Sequence, residues 1–231
     1  MDAIINGLVA IGTLAVAVLA IWGERIRSIL APPLLVLEPH NSAGDPTELR
    51  AQGAPPGAGI RVLYYHLKVV NKRPWLPVAN CSVFLRGIFR RGPDGIFHPV
   101  HMPVPLQYVW APAEVTPPSI TVTKEHVLDF GSIIEGQDHF RPQLYSYSNN
   151  FQGFVRKDEA LRYQLEVQGS NFSSRRYQVF EVAWDGTWSY IPSEMQQHLR
   201  IREIEPSQAA APDGGRGAPG HVECAVTGRR G

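Results

Sequence analysis

The stretch Ile60-Arg61-Val62-Leu63-Tyr64-Tyr65-His66-Leu67-Lys68-Val69-Val70-Asn71-Lys72 decides the fold. Leu63, Tyr65, Leu67 and Val69 fall on one side of an extended chain. Tyr64, His66 and Lys68 fall on the other. That is a period of two, the spacing of a strand with one buried face. Asn71-Lys72-Arg73-Pro74 then reads as a turn. Residues 78–90 resume the pattern with Ala79, Cys81, Val83 and Leu85 on one face, and Gly92-Pro93-Asp94-Gly95 stops it.

Working outward, the same pattern recurs. Residues 34–38 form a short apolar run behind Pro32 and Pro33, and residues 41–59 read as a Gly/Pro-rich loop. Residues 99–118 carry so much proline that only short edge pieces fit, around 106–110. Residues 119–130 predict a strand pair or one bent strand. Leu161, Tyr163, Leu165 and Val167 alternate, Gly169-Ser170-Asn171 turns, and residues 177–184 run back as the second arm of a hairpin. Ser193 with Gln196 predicts a capping box and a short helix over 194–199, with Ile201 and Ile204 in a last strand. Gly and Pro make up 41 of the 231 residues, against an average near 12%, which argues against a helical bundle. The expected fold class is therefore all-β, an antiparallel immunoglobulin-like β-sandwich over residues 34–204. That length exceeds a seven-stranded immunoglobulin domain, so extra strands or long loops are expected.

Residues 3–23 contain no charge and are bounded by Asp2 and Glu24. As a helix they span roughly 31 Å, the thickness of a hydrocarbon core. Trp22 sits where an indole prefers the headgroup zone. The preceding Met1-Asp2 carries no positive charge, and no small-x-small site follows, so the segment reads as a retained transmembrane helix rather than a signal peptide. Residues 24–33 are then a juxtamembrane linker, with at most a short turn at 25–30 before the prolines. Arg25 and Arg27 follow the span and place the large domain on the cytoplasmic side of the inner membrane, as a single-pass protein. The same arginines are candidate lipid contacts. Asn6, Ala10, Thr13, Ala17 and Ala20 make a stripe of small and polar residues, a candidate association face between helices. Residues 205–231 are rich in Ala, Gly, Pro and Arg and read as a disordered tail.

The segment Tyr65-x-Leu67-x-Val69-x-Asn71 followed by Ala79-x-Cys81-x-Val83-x-Leu85 resembles the strand–turn–strand core of immunoglobulin-like modules of the CARDB type. The wider layout resembles bacterial single-span membrane proteins of unassigned function that carry an anchor, a Pro-led first strand and such a sandwich. The resemblance implies an Asn that turns the chain after the first strand and an Ala that opens the next. It also implies a binding or adhesion role, usually extracellular, opposite to the side set by Arg25 and Arg27.

Chemistry is sparse. There is no Gly-rich phosphate loop, no G-x-S-x-G elbow and no H-E-x-x-H. His98 and His101 flank Pro99 and read as a solvated loop. Asp138-His139 beside Glu135 reads as a polar loop. Cys81 reads as a core residue and Cys224 as a tail residue, and two cysteines exclude a disulfide scaffold. Asn80-Cys81-Ser82 and Asn171-Phe172-Ser173 match the glycosylation sequon by chance. Lys72, Arg73, Trp75, Arg86, Arg90 and Arg91 form a basic aromatic run, but a net charge of +1 speaks against a nucleic-acid binder. Trp75, Trp110, Trp184 and Trp188 read as core or rim aromatics.

The expectation is a membrane-anchored, non-catalytic interaction or scaffold module that needs no cofactor or metal. Its partners would be membrane lipid and other membrane proteins or itself. The alternative is a sensor or membrane effector, in which the sandwich binds a ligand and reorganises the helices.

Overall fold

The computed structural model describes residues 2–30, 32–50, 59–170, 172–174 and 177–204. Within the first helix it describes side chains at residues 5, 7, 9, 11–18 and 20–23. The expected disordered tail, residues 205–231, lies outside the described residues.

Helix α1 is Asp2–Leu30. It runs seven residues past Gly23, where the sequence predicted only a short turn at 25–30. Residues 24–30 hold no Gly or Pro, so nothing breaks the backbone ladder before Pro32. Ile5, Val9, Ile11, Leu14, Val16, Val18, Ile21 and Trp22 all stand exposed. Among the described residues no helix is long and apolar enough to cross a membrane.

Two antiparallel sheets follow. The first has the order β1 (Leu35–Pro39), β3 (Ile60–Asn71), β9 (Glu125–Ile134), β10 (His139–Pro142) and β11 (Val155–Arg156). To it β2 (Asp45–Leu49) adds on β3, and β7 (Val109–Trp110) adds on β9. The second has the order β15 (Leu199–Ile204), β14 (Gln178–Trp184), β12 (Glu159–Gly169), β4 (Val78–Arg91) and β5 (Phe97–Val100). There β13 (Phe172–Ser173) adds on β12, and β6 (Leu106–Gln107) and β8 (Ile120–Val122) add on β4. The fold is thus all-β and sandwich-like, as the alternation implied. Strand β2 lies inside the segment read as a loop; its pairing with β3 supplies the order that Asp45-Pro46 hides.

The predicted inward set of β3 holds: Leu63, Tyr65, Leu67 and Val69 are buried. In β4 the pattern slips. Val78 is buried and Ala79 exposed, because Asn80 takes φ 51 and the register against β8 shifts between Val78 and Cys81. The bulge turns the strand by one residue. Hairpin β12–β14 forms as expected, from Glu159↔Trp184 to Leu165↔Gln178.

A second bulge sets the core. Opposite β3, Tyr65 pairs with Gly131 but His66 pairs with Asp129, so Phe130 is the extra residue of β9. An extra residue inverts the alternation, and Leu128, Phe130 and Ile133 are all buried despite their odd spacing. The Phe130 ring crosses from the first sheet to meet Tyr163 and Phe180 of the second, each at 5.8 Å between centroids. It also meets Tyr108 at 5.8 Å and Phe140 at 6.0 Å. Gly131 is required beside it. A Cβ there would stand 2.2 Å from the Phe140 ring and 2.8 Å from the Arg141 carbonyl.

Charge is handled in pairs across strands. A third bulge makes Arg86 the extra residue of β4, opposite the step from Gln164 to Leu165. Its guanidinium binds the buried carboxylate of Glu166, which also accepts from Ser173 Oγ at 2.7 Å. Glu181, also buried, is held by Arg162 at 2.9 Å and by Arg202. Burial pushes the Glu166 carboxyl up, but the Ser173 and Arg86 hydrogen bonds outweigh it and hold it below the ordinary range.

The closing helix α2 is Pro192–His198. The expected Ser193–Gln196 capping box does not form: the N-cap is Ile191, with no side-chain cap, and Pro192 occupies the first turn. Ser189 serves the entry instead, accepting from Ile191 N and donating to Glu194.

Replacing Phe130 with Ala is expected to cost about 3–5 kcal/mol, and with Leu clearly less. Urea unfolding followed by fluorescence reads this directly. A cost under about 1 kcal/mol for the alanine variant would remove the ring from its central place. Because its native pKa is depressed, Glu166 stabilises the fold above the ordinary carboxylate range and loses that contribution as pH falls through the lowered value. Glu166→Gln should therefore weaken the protein at pH 7 by about 1–3 kcal/mol, and the gap to wild type should narrow below about pH 4. Unfolding curves at both pH values are the measurement.

Candidate functional site

The outer face of the first sheet gathers the polar residues of β3 and β9. Tyr64 and His66 point outward by alternation, and the Phe130 bulge sets Asp129 directly opposite His66. Strand β2 brings Asp45 alongside, opposite Tyr64. The turn at residues 111–114 forms the far wall. Between them lies a groove of about 790 Å³, lined by Asp45, Tyr64, His66, Glu114, Asp129 and Gln143 among others.

His66 sits between two carboxylates. Its Nδ1 is 2.9 Å from Asp129 Oδ1, and its Nε2 is 3.4 Å from Asp45 Oδ2. The Nδ1 contact is close but not aligned as a hydrogen bond. Asp129 is buried, and its side chain is 9% exposed. Asp45 is oriented from behind, accepting from Asn41 Nδ2 at 2.7 Å. The Tyr64 ring lies parallel to the imidazole, 6.3 Å between centroids at 9°. Burial, then the Asp129 charge, raises the Tyr64 phenol above its ordinary pKa, so it stays a donor at neutral pH. Among the described residues, the side-chain contacts of His66 are to these two carboxylates and, ring to ring, to Tyr64 and to His40 at 6.4 Å.

Two other grooves are less polar. One, of about 480 Å³, is lined by His139, Arg141, Tyr147, Phe151 and Phe154. There Arg141 already covers the Tyr147 ring at 4.9 Å and donates to its hydroxyl at 2.7 Å. The other, of about 530 Å³, lies where the chain enters the sandwich, lined by Pro32, Leu34, Val36, Arg73 and Phe172. Arg73 donates to the Pro32 carbonyl there, and Trp75 stands exposed beyond it.

The residues singled out in the sequence scatter. His98 contacts Asp94 at 3.1 Å, and His101 is exposed on the same edge. His139 contacts its neighbour Asp138 at 2.8 Å. Among the described residues no three His, Cys, Asp or Glu side chains gather in a way that holds a metal. The basic run does not gather either: Lys72 pairs with Glu38, Arg86 with Glu166 and Arg90 with Glu159. Trp110 and Trp184 are buried, Trp75 exposed. On α1, Thr13, Ala17 and Ala20 are exposed, and Thr13 Oγ1 donates to its own helix at the Val9 carbonyl, 2.8 Å. The side chains of Asn6, Ala10, Arg25 and Arg27 lie outside the described residues, as do Asn171 and Cys224. The sequence placed Tyr64 and His66 on a polar face but gave no reason to join Asp129 to them.

No protein-family model matches this chain, and no curated protein matches it.

Cys81 is fully buried between the sheets, and burial pushes its thiol up to about 12. It is therefore not a nucleophile. On a Cys224→Ser variant at pH 8, Ellman's reagent should titrate no thiol until denaturant is added. Rapid native labelling would contradict that placement.

Proposed function

We propose that this protein is a single-pass, membrane-anchored, non-catalytic interaction module, with residues 3–23 in the bilayer and an immunoglobulin-like sandwich carrying the contact surfaces. The observation that carries this reading is helix α1. Its eight exposed large apolar side chains are spread round the helix, and residues 3–23 hold no charge. A helix with large apolar side chains over most of its circumference, and only a narrow small-residue stripe between them, is served by an apolar surround. Moving eight such side chains out of water is worth on the order of 10–20 kcal/mol, far more than a surface helix gains by staying solvated.

Further features support the rest. Arg25 and Arg27 follow the span, which favours a body on the cytoplasmic side of the inner membrane and gives anionic lipid a partner. Exposed Thr13, Ala17 and Ala20 continue the stripe begun by Asn6 and Ala10, a close-packing face for a second copy. The groove beside His66 favours a second reading, a sensor in which the sandwich takes a ligand and the helices respond.

Alkaline carbonate extraction tests the anchor. The full chain should remain in the membrane pellet, and a variant lacking residues 2–30 should be released. Release of the full chain would end this reading. In spheroplasts the C-terminal tail should resist added protease until lysis; cleavage in intact spheroplasts would reverse the assigned side.

A further inference from the structure

We infer that the groove beside His66 binds an organic cation, a primary ammonium or guanidinium group, seated on the Asp129 carboxylate. The inference gives a ligand class to the sensor reading and rests on it for its purpose.

Asp129 carries the inference. Its side chain is nine-tenths buried and lines the groove, yet its carboxylate accepts no hydrogen bond from the described residues. Its one close neighbour is His66 Nδ1, which is itself unaligned. A buried carboxylate is costly unless donors or a cation meet its lone pairs. Elsewhere in this protein that rule is obeyed: buried Glu166 holds Arg86, and buried Glu181 holds Arg162 and Arg202. Among the described buried carboxylates, Asp129 is the one with no Lys or Arg within ion-pair reach, and it lines the groove.

The walls agree in sign. Asp45, Glu48, Glu114 and Asp129 line the groove, and no Lys or Arg does. Glu48 is engaged by Arg50, but the Asp45 and Glu114 side chains have no Lys or Arg partner among the described residues. The parallel Tyr64 and His66 rings offer a flat face beside the charge, which suits a planar guanidinium or an ammonium on a short stem. The absence of a three-ligand cluster among the described residues favours an N–H donor over a bare metal ion. Such a cation would donate to Asp129 and Asp45 from the open side while His66 stays where it is.

Benzamidinium is the probe, with neutral benzamide as its isostere, followed by saturation-transfer difference NMR on the full chain in a neutral detergent. Saturable benzamidinium binding in the range of about 1 mM or tighter is expected, with none for benzamide. Asp129→Asn should weaken it by about tenfold or more, the loss of a charge-assisted hydrogen bond. Because Asp129 is buried, Asp45→Asn, at a half-exposed position, provides a second variant and should weaken it several-fold. Circular dichroism of both variants should match the wild-type spectrum. Agmatine and a short arginine-containing peptide compete in separate arms; displacement by agmatine alone indicates a free amine, displacement by the peptide a basic side chain of a partner protein. No saturable binding, equal binding of benzamide, or full binding by both variants would overturn the inference. Such failure leaves the carbonate result untouched, so the groove and the anchor fail separately.

Discussion

One extra residue in β9 governs both faces of the first sheet. A strand that pairs without interruption has one phase: odd positions in, even positions out, or the reverse. Phe130 breaks that phase. Inside, the break allows a ring to reach Tyr163 and Phe180 of the opposite sheet and to contact Tyr108 and Phe140 in its own neighbourhood. Outside, the same break brings Asp129 into register with His66. Core and groove are therefore not independent features. Gly131 belongs to the same device, since only a residue without a Cβ fits under the Phe140 ring.

The sheets also show how this chain spends its cations. Arg86 sits on a bulge of its own and reaches Glu166; Arg162 and Arg202 close on Glu181 from adjacent strands. Each pair ties neighbouring strands together and satisfies a carboxylate that packing has taken from water. The groove beside His66 differs in kind: carboxylates line it, and no Lys or Arg does.

How much was legible depends on where alternation survives. The inward face of β3 and the β12–β14 hairpin could be read because the period of two runs unbroken through them. Ala79 was misplaced because Asn80 adopts a left-handed backbone that pattern alone does not reveal. Strand β2 was missed because Asp45-Pro46-Thr47-Glu48 has the composition of a loop and is ordered only by its partner. Strands β10 and β11 are too short to carry a period. The groove was illegible for a related reason. His66 and Asp129 are 63 residues apart in the chain, and their meeting depends on a register shift no composition records.

The clasp at the sandwich entrance has a geometric corollary. Leu30 ends the helix, only Ala31 intervenes, and the Pro32 carbonyl is already held by Arg73 while Leu34 accepts from the Lys72 backbone. The two contacts tie residues 32–34 to the turn that follows β3, so the path by which the chain enters the sandwich is set from within the β body itself.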